Sequence, residues 1–195
     1  MRDNSPYINR YLQRYRDEMI PTTVLTIREQ SWGRDLSPAE LELFLYDDGT
    51  LNHNKLLEAS ITAQYAMDYA DSLFPGQYPD GTPRNAFQHA YLSAMLTQKF
   101  GSEFAESLTN AHETGYGQDE PNGLTTFMDR HNNAVGISIA EANPYASAPQ
   151  FRELILEALE NGELVVLDVV SVLAGEYSAN TIYPSNQCPQ LCSYP

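Results

Sequence analysis

Residues 82–136 read TPRNAFQHAYLSAMLTQKFGSEFAESLTNAHETGYGQDEPNGLTTFMDRHNNAVG, and the punctuation within them sets the fold class. Thr82 is placed to cap a helix with Pro83 just inside it, and Gly101 is placed to end that helix after about Phe100. A second helix is expected from Ser102 to near Gly115 and a third over roughly Leu124 to Glu141, separated by the polar, Gly-containing loop Tyr116 to Asn122. Three consecutive helices with no intervening strand pattern point to an all-α domain.

Towards the N-terminus, apolar positions from Asn54 to Phe74 keep a helical period through Leu57, Ile61, Tyr65, Tyr69 and Leu73. Ser37-Pro38-Ala39-Glu40 has the form of a capping box, after which Leu41, Phe44 and Leu45 are expected to face inward until Asp47-Asp48-Gly49 breaks the helix. Tyr7 to Met19 reads as an amphipathic helix stopped before Pro21, and Thr22 to Gln30 as a short helix or an extended segment.

Towards the C-terminus, Ala148-Pro149 opens a helix over Gln150 to Glu160, stopped by Asn161-Gly162. The Val-rich run 163–174 fits a buried helix or a short β-hairpin, because period alone does not separate the two. The expectation is an all-α, single-domain bundle of about six to eight helices, with a short C-terminal β-hairpin as the alternative for that run. Residues 1–81 form the N-terminal helical part of the same domain, 82–176 the core, and 177–195 an irregular Pro-rich tail.

The formal net charge of −15, from 26 acidic and 11 basic residues, disfavours nucleic acid and an anionic membrane surface. It is compatible with a divalent cation or a basic protein partner. No apolar run reaches transmembrane length and no signal peptide follows Met1-Arg2-Asp3-Asn4, so a soluble chain is expected. Cys188 and Cys192 are spaced either for a small disulfide loop or as two exposed thiols, which leaves the compartment open. Oligomeric state is not legible.

The central stretch holds His89, His112 and His131, three of four histidines. Asn85, His89 and Ser93 are spaced by four and share one stripe of the first helix, flanked by Phe87, Ala90, Tyr91 and Met95. His112 follows Leu108 and Phe104 down an apolar face, with Glu113 turned about 100° from it. Asp129, Asn132, Asn133 and Gly136 make a polar stripe on the third helix. Solvated helix faces favour Glu and Lys over paired asparagines, which want hydrogen-bond partners.

Imidazoles and carboxylates on three helices suit one divalent ion of the Zn or Mn type, with His89, His112 and Asp129 as ligands. In the catalytic reading His112, Glu113 and Asp129 move protons or activate water, and Asn85, Ser93, Asn132 and Asn133 orient them or bind substrate. The metal-free version is a His–carboxylate acid/base pair. The competing reading is a non-catalytic interaction domain in which these residues form a buried polar network that fixes helix register. His131 points about 160° from Asp129 and is assigned to the core or to a supporting position.

Three blocks, Asn85-Ala-Phe-Gln-His89-Ala-Tyr91, Ala111-His112-Glu113 and Met128-Asp129-Arg-His131-Asn132-Asn133-Ala-Val-Gly136, resemble an uncharacterised bacterial domain family. Its members often lie at the C-terminus of polymorphic-toxin-like secreted proteins. The resemblance implies a bacterial effector or a relative of one, with an immunity-type or basic protein partner, and leaves the reaction open. The expectation of a hydrolase rests on the His/carboxylate/Asn residues themselves, and that of bacterial cytoplasm or non-classical secretion on the lack of a signal peptide in this chain. Gln88 and Leu92 stand where the family pattern has a basic residue and a tryptophan.

Overall fold

The computed structural model describes residues 36–77, 80–114, 123–168 and 182–187. Among these are six helices: α1 (Pro38–Glu42), α2 (His53–Leu73), α3 (Pro83–Phe100), α4 (Ser102–Thr114), α5 (Leu124–Ala142) and α6 (Ala148–Asn161). Two short strands follow, β1 (Val165–Leu167) and β2 (Ile182–Pro184), with a 3-10 turn at Ser185–Gln187. The expected elements before residue 36, the loop 116–122 and the two cysteines lie outside the described residues.

Helix α3 is the hub, packed on α2, α4, α5 and α6, with its most extensive contact to α5. Its sequence explains the position. Ala86, Phe87, Ala90, Ala94 and Leu96 are fully buried, and only small side chains let neighbouring helices approach at that density. Ala59, Ala63, Ala66 and Ala70 supply the matching narrow stripe on α2. Between them Phe87 stacks on Tyr91 at 5.3 Å, with Tyr69 5.8 Å from Tyr91 and Phe74 5.9 Å from Phe87. Fully burying the Phe87 and Tyr91 rings contributes about 1.5–3 kcal/mol each, and the Tyr91 hydroxyl, 3.2 Å from Ala148 O, donates its hydrogen bond there.

The α3–α5 contact is set by Gly136. A Cβ added at this position would lie 2.0 Å from Ala90 O, so a hydrogen is the only substituent the interface accepts. This close approach presses the polar stripe of α5 against that of α3.

One expectation changes in detail, and of the two alternatives for the Val-rich run the β form is the one seen at Val165–Leu167. Helix α1 ends at Glu42, and Leu45, expected inside, is 40% exposed and bridges to Leu51 at the edge. In the Val-rich run, Val165–Leu167 is a strand paired antiparallel with Ile182–Pro184. Three backbone anchors favour the extended form: Leu167 N donates to Gly81 O at 2.7 Å, and Val165 exchanges two hydrogen bonds with the Asn132 side chain. No described helix is long and apolar enough to cross a membrane.

Candidate metal centre

Helix α3 presents His89, the last turn of α4 presents Glu113, and the first half of α5 presents Asp129. One donor atom from each lies within 4.8 Å of the other two. His89 Nε2 is 3.3 Å from Asp129 Oδ1, and His89 Nδ1 is 3.8 Å from Glu113 Oε1. Metal–ligand bonds of about 2.1 Å in a tetrahedron place neighbouring donors about 3.4 Å apart, so the His89–Asp129 pair is already close to that spacing. Glu113 has a further approach to make. The side chains are sheltered, 12% exposed for His89, 3% for Glu113 and 13% for Asp129.

Asn133 determines which nitrogen of His89 faces the centre. Its Oδ1 accepts from Ser93 Oγ at 2.8 Å and lies 3.3 Å from His89 Nδ1, which places the proton of a neutral ring on Nδ1. The Nε2 lone pair then faces the Asp129 carboxylate, a repulsive arrangement unless a positive charge lies between them. A second proton is disfavoured, because burial pushes the His89 pKa below its ordinary value, with the Glu113 charge opposing the shift. A cation held between Nε2 and the carboxylate would relieve that repulsion. The Asn133 Nδ2 group adds to this: the residue is 3% exposed, the atom is buried, and no described residue accepts its hydrogen bond. A buried amide donor of this kind has an acceptor still to find beyond the described residues.

His112 lies apart from the three-residue cluster. Its Nδ1 is 2.9 Å from Glu40 Oε1. The fully buried Glu40 caps α1 with its other carboxylate oxygen, which accepts from Ser37 N at 2.7 Å. Both His112 and Glu113 line a cavity of about 290 Å³ together with His89, Asp129, Asn133, Asp80, Arg84 and Gln88. His112 therefore borders the same cavity, and it is Glu113, not His112, that joins His89 and Asp129 in the group whose donor atoms lie within 4.8 Å of one another. The pairing has a simple cause: α4 ends at Thr114, and adjacent residues on its last turn diverge, one towards α1 and one towards α3.

The other expected site residues divide. Ser93 supports Asn133 as described. Asn85 Oδ1 accepts from Gly81 N at 3.2 Å and holds the turn ahead of α3. Asn132 is fully buried and spends both ends of its amide on Val165. His131 Nε2 is 2.8 Å from Glu163 O, on the far side of α5, in keeping with a supporting position. Glu40 escaped notice in the sequence as a site residue, since its capping-box spacing already accounts for it and 72 positions separate it from His112.

Residues 50–163 match the family described as Domain of unknown function (DUF6973). The chain belongs to this family. No curated protein and no solved structure matches it. The DUF6973 region contains His89, Glu113, Asp129, Asn133 and His112, whereas Glu40 lies before its first matched residue. The buried carboxylate behind His112 thus comes from outside the DUF6973 match.

Proposed function

We propose that this protein is a hydrolase that holds one divalent ion, of the Zn or Mn type, on His89, Glu113 and Asp129. The observation that carries the reading is the convergence of these side chains from three helices beside a cavity, with Asn133 orienting the imidazole. One imidazole and two carboxylates suit such ions. Three protein ligands leave a position for water, whose pKa a bound ion lowers.

His112 is the proton-transfer group in this reading. Its Nδ1 faces the Glu40 carboxylate, so in the neutral ring Nε2 is the basic nitrogen, held in orientation by a buried partner. Asn132 and Asn85 serve the frame, and Asn133 and Ser93 serve the centre. A bacterial toxin-type effector countered by an immunity-type or other basic protein partner is the setting we assign to the activity, on the resemblance of the three sequence blocks. The second reading, a non-catalytic interaction domain, draws its support from Asn132, Asn85 and His131, which are used by backbone groups.

The test is metal analysis of the purified protein joined to a hydrolysis screen on lipids, peptidoglycan and nucleotides. Activity should require Zn or Mn, and His112→Ala should lower it about 10²–10⁴-fold with metal content unchanged. Hydrolysis that persists in His112→Ala would remove the assigned role, and a full-length, folded protein that takes up no ion would remove the centre.

A further inference from the structure

The walls of the cavity also bear on what can enter it, given the metal reading above. Asp80, Glu113 and Asp129 line it, and Arg84 is the one Lys or Arg among its described lining residues. The Arg84 guanidinium is engaged in the wall: Nε is 2.6 Å from Asp71 Oδ1, and Nη1 donates to Gln88 Oε1 at 2.7 Å. Behind His112 stands the buried Glu40 carboxylate. A divalent ion would therefore do no more than neutralise the three carboxylates and the guanidinium taken together, and the whole chain, these groups included, carries a formal charge of −15. Sites that bind or transfer phosphoryl groups surround them with Arg or Lys clamps in addition to the metal. Such a clamp is missing among the described lining residues, and a phosphate dianion would give up its hydration for little return.

Part of the wall is apolar, made by Ala63 and Met67 from α2, Leu92 from α3 and Leu108 from α4. At about 30 Å³ of liquid volume per water-sized group, the cavity has room for about ten non-hydrogen atoms. We infer that the centre acts on an uncharged or cationic carboxylic amide or ester, bound with its apolar part on this wall, and discriminates against phosphate esters. In the step, the water oxygen bonds to the carbonyl carbon, the carbon–nitrogen or carbon–oxygen bond breaks, and a proton from the water ends on the leaving atom.

The experiment uses the full chain loaded with Mn²⁺ and reads displacement of ion-bound water by proton relaxation. Inorganic phosphate and acetohydroxamic acid, which is uncharged in solution at pH 7 and gives up its one proton to a base of the site or the buffer as it chelates, are titrated against the loaded protein and against aqueous Mn²⁺. Phosphate should bind the protein-held ion at least tenfold more weakly than the aqueous ion, while acetohydroxamic acid keeps or gains affinity. Phosphate that binds as tightly as to the aqueous ion would overturn the inference with the metal centre intact. Equal loss of both ligands would overturn it as well, since it would mean steric closure rather than discrimination by charge. A protein that binds no Mn²⁺ would fail at the earlier step, the centre itself.

Discussion

Asn132 and Asn133 are neighbours in the chain and both are buried, yet they face different parts of the molecule and have different partners. Asn132 meets β1, where Val165 N donates to its Oδ1 at 2.9 Å and its Nδ2 donates to Val165 O at 3.0 Å. Both ends of the amide are used, and α5 is locked to the strand. Asn133 meets α3, where its oxygen serves Ser93 and His89 and its nitrogen has no acceptor among the described residues. A buried amide satisfied within the protein marks structure. One satisfied by described residues at a single end only, beside a histidine and two carboxylates, is where the proposed centre is assigned.

The largest effect is expected from the contact that presses both residues into place. Gly136→Ala puts a methyl group into the Ala90 backbone, and overpacking against main chain that cannot rotate away should cost about 3 kcal/mol or more. Thermal melting should show a fall of about 6–12 °C, with metal affinity lost at the same time. A melting temperature within a degree or two of wild type would mean that α3 and α5 are not packed this closely.

Asn132→Ala should come next, at about 2 kcal/mol, because it strands the two backbone groups of Val165. Denaturant unfolding measures this, and metal affinity should stay within about twofold of wild type once the folded fraction is accounted for. Asn133→Ala should reverse the pattern. Its stability loss should be the smaller of the two, and its metal affinity should drop about 10-fold or more, as for other partners that orient a ligating histidine. If both variants lost stability and kept affinity, the contrast between the two asparagines would collapse into a purely structural network.

The smallest effect is a pH dependence. Burial lowers the His89 pKa in the folded, metal-free protein, so the unfolded chain binds the proton more readily than the folded one. The contribution is fully present above the unfolded-state value of about 6.5 and is lost as pH falls through the lowered folded value. The urea midpoint of metal-free protein should therefore fall more between pH 7.5 and pH 5 in wild type than in His89→Gln. Equal falls would place the sensitivity elsewhere.

The helical frame was legible in the sequence because its signals are local. Pro83, Gly101, Ser37 with Glu40, and Asn161-Gly162 mark helix ends through backbone chemistry that operates within a few residues. Candidate site residues were legible for a related reason: paired asparagines and buried histidines are poor choices for helix faces unless something uses them. Which residues meet was less so. The sequence puts both His112 and Glu113 at the site, with His112 in the metal set because the apolar period of α4 carries it inward, and the period says nothing about a buried carboxylate arriving from α1. The extended form of Val165–Leu167 likewise depends on Gly81 and Asn132, both distant in sequence.

The most direct test of the metal centre is calorimetric titration of metal-free protein with Zn²⁺ and Mn²⁺, repeated on His89→Ala, Glu113→Gln and Asp129→Asn. One ion per chain is predicted for wild type, with affinity lowered at least tenfold in each variant while each remains folded by circular dichroism. Wild-type protein that binds neither ion, or variants that bind as tightly as wild type, would contradict the account.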